Sequence, residues 1–272
     1  MELLIPFGTE YIEDGEFSEC EAERVILPES LKEIGSEAFS GCARLREISL
    51  PPMLRELSPA VFLDCEVLER VEMPEGLLEI GEGAFVNCGA LREISFPSSL
   101  RRIDAMAFWG CGLESVTVPA SVESVEENAF WECESLREAN VLGRATAVGD
   151  NAFGSCYNLT RGYIAPGYCG KTDAPAELLY TLLWCTCPSR HDAATGERAR
   201  AFIGANEQLV MERVFKYNNT AALTGIAELA LLRPENINGY VRQAADAGLT
   251  ELTALLLKAR GAARDLDGEF KL

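Results

Sequence analysis

Histidine is almost missing from this chain: His191 is the only one. Every mechanism that needs two imidazoles is thereby removed, whether a two-histidine metal site or a paired relay. Positive charge is scarce as well. Lysine and arginine together number 24 against 43 acids, a net charge of -19. Such a surface repels phosphate backbones and anionic bilayers at distances comparable to the Debye length, so neither nucleic acid nor a membrane surface is a favoured partner. No apolar run approaches the roughly 18 residues of a membrane helix, and no membrane insertion is expected. The segment Met1 to Pro6 lacks the basic stretch and the apolar length of a signal peptide. If Met1 is the native start, the protein is expected in the cytoplasm. There is no Asp-x-Asp-x-Asp-Gly calcium loop and no cofactor motif, so no cofactor is implied.

What the sequence does contain is a phrase repeated at intervals of 22 or 23 residues. Its first landmark falls at Ile12, Ile34, Leu57, Ile80, Ile103, Val125 and Val148. Phenylalanine follows five residues later in every copy, at Phe17, Phe39, Phe62, Phe85, Phe108, Phe130 and Phe153. Cysteine follows after three more, at Cys20, Cys42, Cys65, Cys88, Cys111, Cys133 and Cys156. An alternating apolar pair comes next: Val25 and Leu27, Ile48 and Leu50, Val71 and Met73, Ile94 and Phe96, Val116 and Val118. Period-two alternation over so few residues predicts a short strand with one buried face. Pro28, Pro51, Pro74, Pro97 and Pro119 end these strands, since proline cannot donate to a ladder. Leu3 to Ile5 fits the same register at the start, and a last strand near Ile164 is weakened by Gly162.

A unit this small cannot bury its apolar side chains alone and must stack on its neighbours. The expected fold is an α/β repeat: a right-handed leucine-rich-repeat solenoid with one parallel sheet, followed by a small all-α C-terminal domain. Seven to eight coils at about 4.8 Å each give a rod of about 35 to 40 Å. The pattern Ile-x3-Ala-Phe-x2-Cys-x2-Leu-x2-Ile-x-Leu-Pro, read from Ile34 to Pro51, resembles the BspA-like, treponemal class of bacterial leucine-rich repeats over roughly residues 3 to 166. That resemblance implies a protein-binding role rather than an enzymatic one, since members of the family are often surface proteins that bind host matrix proteins or other partners.

Residues 1-168 are read as the solenoid and residues 171-272 as the helical domain. The acidity belongs to the solenoid, which holds more than two thirds of the acids but only half of the bases. On the outward face of the strands the signs alternate. One row reads Glu23, Arg46, Glu69, Arg92, Glu114, Arg137, and the next reads Arg24, Glu47, Arg70, Glu93, Ser115, Glu138, Arg161. In-register parallel strands set opposite charges side by side, a lattice that fixes register. The excess acid falls on turns and the convex side, among them Glu13, Asp14, Glu37, Glu82, Glu127 and Asp150.

The seven cysteines of the repeat are expected to be buried as small apolar thiols. Cys169, Cys185, Cys187 and His191 stand outside the pattern. Cys185, Cys187 and His191 offer three zinc ligands on paper, or Cys187 and His191 a thiol with its base, without the usual paired spacing. These residues carry the alternative functional reading, a helical domain with its own regulatory, metal-binding or thiol-based activity, capped by the repeats.

After Gly170 helical spacing takes over. Asp173 with Pro175 reads as a helix start before an apolar face at Leu178, Leu179, Leu182 and Leu183. Leu209, Val210, Val214 and Phe215 repeat that face, and helices are predicted over 221–232, 236–247 and 250–260, with Gly248 and Gly261 as stops. Residues 243–268 have a weak ankyrin-like look. The candidate partner-binding residues are those just after each repeat phenylalanine. They read Ser18, Ser40, Leu63, Val86, Trp109, Trp131 and Gly154. Leu63, Val86, Trp109 and Trp131 thus form an apolar stripe on four consecutive coils, expected to be covered either by an external partner or from within the chain, by the helical unit or convex-side loops.

Overall fold

The computed structural model describes residues 1–143, 146–149, 151–156, 158–163, 181, 185, 193–216 and 218–269. Two compact units are present. One contains the coils through Leu159, and the other contains the helices between Ala193 and Glu269.

In the first unit two sets of strands alternate along the chain. The longer set is Glu2–Leu4 (β1), Arg24–Ile26 (β3), Glu47–Ser49 (β5), Arg70–Glu72 (β7), Ser115–Val118 (β10) and Glu138–Val141 (β12). The shorter set is Tyr11–Ile12 (β2), Glu33–Ile34 (β4), Glu56–Leu57 (β6), Glu79–Ile80 (β8), Arg102–Ile103 (β9), Ser124–Val125 (β11) and Ala147–Val148 (β13). A further strand, Arg161–Tyr163 (β14), belongs to the second unit and keeps Gly162 at its centre. The solenoid therefore has a second ladder beside the sheet expected from the alternating pairs. The reason is local: the residue before each first landmark is extended too, and it stacks on its counterpart in the next coil, Glu56 opposite Glu79 and Glu79 opposite Arg102.

A third set of bonds runs through the turns that carry the phenylalanines. Two residues before and two after each phenylalanine the backbone is left-handed, with φ of 57° at Glu37, 55° at Ala60, 58° at Asp64 and 59° at Asn87. This alternation points every second N–H along the rod. Ala60 N–H donates to Glu82 at 2.8 Å, Phe62 N–H to Ala84 at 2.8 Å and Asp64 N–H to Val86 at 2.9 Å, all in the next coil. Glycine takes the conformation at little cost at Gly83 and Gly110, whereas Ala60 and Met106 adopt it against their own preference.

The core is a set of columns. The phenylalanine rings stack with centroids 5.0 to 5.9 Å apart, from Phe17 through Phe153. Leu31, Leu54, Leu77 and Leu100 form a second column, fully buried, and the repeat thiols from Cys42 to Cys156 a third. Each thiol donates to the phenylalanine carbonyl of the preceding coil, as Cys88 does to Phe62 at 3.3 Å and Cys111 to Phe85 at 3.0 Å. Burial raises the Cys111 and Cys133 thiols well above the ordinary thiol value, so they pack as neutral groups.

One expected strand does not form. Residues 91–97 carry no strand, and Ile94 and Phe96 are only half-buried. Phe96 stands in the column of Leu27, Leu50, Met73, Val118 and Val141, and is bulkier than any of them. Its ring turns edge-on to Phe108 at 5.6 Å, and its backbone leaves the ladder.

The second unit holds four helices: Ala193–Lys216 (α1), Thr220–Glu228 (α2), Pro234–Asp246 (α3) and Thr250–Glu269 (α4). α1 is far longer than the face read from Leu209 to Phe215, and it bends at Asn206, whose φ is -130° and ψ 30°. α2 ends earlier than expected, because Ala230 turns left-handed at φ 51°. Gly248 does stop α3, at φ 71°, but Gly261 lies within α4 and stops nothing. The helix start expected at Asp173 and Pro175 lies outside the described residues. Val210, Val214, Leu223, Ile226, Ile237 and Leu252 are among the buried residues that form the core of this unit.

Two outcomes test the packing. Phe85→Ala removes a ring between Phe62 and Phe108 and is expected to cost about 3 to 5 kcal/mol in urea unfolding, while a loss below about 1 kcal/mol contradicts the buried column. Ala60→Gly relieves a left-handed alanine and is expected to stabilise by about 1 kcal/mol. A loss of stability there means the turn is not left-handed at this position.

Candidate functional site

Backbone turns position the stripe. In each coil the residue after phenylalanine lies between the buried ring and a left-handed residue, and its carbonyl accepts a bond from the preceding coil, Asn87 N–H to Trp109 O at 2.8 Å and Gly110 N–H to Trp131 O at 2.8 Å. With the backbone held on both sides, the side chains fall in line at coil spacing. Leu63, Val86, Trp109 and Trp131 are all half-buried, neither core nor free surface. The two indoles meet edge to face, centroids 6.5 Å apart at 61°. Trp109 Nε1–H donates to Glu132 at 3.0 Å, which fixes its ring. Trp131 lies against the next coil, where a Cβ on Gly154 would come within 2.3 Å of its ring carbons. The small residue that ends the stripe is therefore the seat of the last tryptophan. Acidic groups border the line at Asp64, which accepts from Asn87 at 2.7 Å, and at Glu132.

The outward face of the longer ladder is the second surface. Its charges pair across coils: Arg24 with Glu47 at 3.3 Å, Arg46 with Glu69 at 2.6 Å and Arg92 with Glu114 at 3.1 Å. Arg70 departs from the alternating scheme and turns along its own strand to Glu72 at 2.6 Å. The Ser49 hydroxyl and the Arg70 guanidinium hold Glu72 below the usual carboxylate range. What Glu72 adds to stability is present above that range and is lost as pH falls through the lowered value. On the shorter ladder Arg102 spans three coils, meeting Asp104 at 2.9 Å and Glu79 and Glu126 at 3.6 Å. Where the strand at 93–96 is missing, a cavity of about 390 Å³ opens, rimmed by Arg70, Glu72, Glu75 and Glu93 over Phe96.

The cysteine and histidine candidates do not assemble a site. Cys185 is buried, and burial pushes its thiol up to about 12, so it is not a nucleophile at neutral pH. Cys169, Cys187 and His191 lie outside the described residues. Among the described residues no group of three or more His, Cys, Asp and Glu side chains is placed to hold a metal ion.

The helical unit carries one feature with no sequence motif. Glu207 on α1 is buried, only 5% exposed, just past the bend at Asn206. Its carboxylate accepts from the Arg233 backbone N–H at 3.3 Å and from Asn236 Nδ2 at 3.2 Å, and the Arg233 guanidinium lies 3.5 Å away. Burial and this carboxylate push Tyr240 up to about 12. α3 begins at Arg233-Pro234 with no side-chain cap of its own, so a distant carboxylate supplies the acceptor its first turn needs. A capless helix start was the only hint in the sequence. The cleft alongside, about 790 Å³, is lined by groups of both charge signs, among them Glu212, Glu235 and Arg233.

Arg46→Glu tests the outward lattice by placing an acid beside Glu69 and Glu23. A loss on the order of 1 kcal/mol is expected in urea unfolding, shrinking as sodium chloride is added. A loss that ignores salt excludes the lattice as an electrostatic one.

Comparison with known proteins agrees with the geometry. The profile of the BspA type leucine rich repeat region matches six copies, over residues 2–114 and 59–168. The leucine rich repeat protein of T. pallidum is similar in crystal structure, at 29% identity and a TM-score of 0.55, over 62% of this chain and 85% of that one. A leucine-rich repeat protein from Bacteroides ovatus is 26% identical with a TM-score of 0.47, over 60% of this chain and 49% of that one. A leucine rich cell surface protein from Faecalibacterium prausnitzii is 24% identical with a TM-score of 0.42, over 59% of each chain. Among curated proteins no sequence matches significantly. No helix among the described residues is long and apolar enough to cross a membrane. With the stacked phenylalanines, the buried thiols and the matched repeats all in the same register, the chain belongs to the BspA type leucine-rich-repeat family.

Proposed function

We propose that this protein is a non-enzymatic scaffold that binds a protein partner through the stripe Leu63, Val86, Trp109 and Trp131. Leucine-rich repeat proteins of this kind are typically binding scaffolds, and a rigid rod of repeats suits that role because it presents an extended surface without a deep pocket. The observation that carries the reading is the stripe itself. Four half-buried apolar side chains on consecutive coils end in a tryptophan pair whose orientation is fixed from within, by Glu132 and by the seat at Gly154. An anchor held in place before binding loses little freedom on binding, and tryptophan is enriched among residues that dominate interface energy. Asp64 and Glu132 at its border favour a partner whose apolar anchor is flanked by lysine or arginine. The negative charge of the solenoid speeds the approach of such a partner at low salt.

The measurement is a comparison of the parent with Trp109→Ala/Trp131→Ala. The double variant is expected to keep the circular dichroism of the parent and to lose at least tenfold in affinity for a partner that the parent retains. Unchanged affinity for every partner the parent binds moves the binding site off the stripe. The thiol and metal readings of the helical unit receive no support from Cys185, whose sulfur is buried and neutral.

A further inference from the structure

The thiol column is regular except at its first member. From the second coil onward each sulfur donates to the phenylalanine carbonyl one coil back: Cys42 to Phe17 at 3.3 Å, Cys65 to Phe39 at 3.2 Å, Cys133 to Phe108 at 3.2 Å and Cys156 to Phe130 at 3.0 Å. Cys20, in the first coil of the array, has a different partner. Its Sγ lies 2.8 Å from Sγ of Cys42. It is also the one cysteine among those described that is not buried, whereas Cys42 is fully covered. Stacked coils place equivalent Cα atoms about 4.8 Å apart, inside the window of about 4.4 to 6.8 Å that a disulfide spans.

We propose that Cys20 and Cys42 form a two-step oxidation site, in which Cys20 receives a low-molecular-weight disulfide and Cys42 resolves it, leaving a Cys20–Cys42 cross-link between the first two coils. In the first step the Cys20 thiolate attacks one sulfur of the reagent disulfide and expels the other as a thiolate. A mixed disulfide remains on Cys20. In the second step the Cys42 sulfur attacks Cys20 Sγ, and the second half of the reagent leaves as a thiol. Two protein thiols are oxidised, one reagent disulfide is reduced to two thiols, and the two protons end on those thiols. The repeat cysteines from Cys65 to Cys156 are closed to this chemistry, because their sulfurs are buried and each thiol hydrogen is engaged by a carbonyl.

Burial, with the contact to Cys42, pushes the Cys20 thiol up to about 11, and the contact to Cys65 with burial pushes Cys42 higher still, so both thiolates are scarce at neutral pH. Exchange therefore runs slowly there and faster in mildly alkaline buffer. The cross-link joins two coils whose strands β1 and β2 each end a ladder. Terminal elements open first in a folded protein.

The experiment treats the folded full-length chain with excess oxidised glutathione at mildly alkaline pH and reads intact mass and a peptide map. The parent is expected to yield a linked peptide pair containing Cys20 and Cys42, two hydrogens lighter than the two reduced peptides together. Cys42→Ser is expected to stop at the first step and hold one glutathione on Cys20, and Cys20→Ala to show no modification at any repeat cysteine. A stable glutathione adduct on Cys20 of the parent overturns the proposal. So does a disulfide between other repeat cysteines, or no modification under conditions that fully oxidise the urea-unfolded chain. If Cys42→Ser does not fold, the peptide map of the parent alone decides between these outcomes.

Discussion

Everything in the first unit follows from the fact that no coil can satisfy its own backbone. Alternate amides in each phenylalanine turn point forward, and they find carbonyls only in the next coil, as Phe85 N–H finds Ala107 at 2.8 Å and Phe108 N–H finds Ala129 at 2.7 Å. Left-handed residues on both sides of the phenylalanine are what make the amides alternate. The penalty at Ala60, Met106 and Glu132 is accepted because an unpaired buried N–H costs more than a strained φ. With the backbone pinned at coil spacing, one ring has room to lie directly on the next, and one sulfur reaches the carbonyl behind it. The stack thus dictates phenylalanine and cysteine at their positions. It leaves other positions free.

Those free positions are where function has room. The residue after the phenylalanine varies from serine to tryptophan along the rod, since its backbone bonds recur from coil to coil while no one side-chain contact does. The outward strand positions vary too, yet their charges still answer one another across coils. A self-paired charged strip offers a ligand little that it does not already have, which is why the interface is proposed on the apolar stripe instead. The gap at Glu93 to Phe96 shows the limit of tolerance: one residue too large for its column, and a strand is lost while the phenylalanine, leucine and thiol columns continue past it unbroken.

The helical unit works by other rules. Its core is an ordinary packed cluster, and among the described residues one buried carboxylate, Glu207, ties a bent helix to the start of another. A buried charge survives only with partners, and Arg233, Asn236 and Tyr240 supply them. Nothing periodic announces such a contact. Glu207 and Arg233 are 26 residues apart, with no repeat to relate them.

The sequence by itself determined the solenoid, its columns and the residues of the stripe, because stacking turns a spacing of 22 or 23 residues into contact. In a one-dimensional array the residues that touch are those that recur, so Phe39, Phe62 and Phe85 declare their neighbours in the primary structure. The acidic character of the first unit and the stop at Gly248 were legible for similar local reasons. Only the tertiary structure decided that Glu37 and Ala60 are left-handed where glycine serves elsewhere, that Phe96 breaks a strand its alternation favoured, that α4 runs past Gly261, and that Cys20 faces a thiol instead of a carbonyl. Each of these depends on what a neighbouring coil or helix supplies at one place: a carbonyl, a ring, a packed face or a sulfur. A local pattern cannot encode the side of a contact that another segment provides.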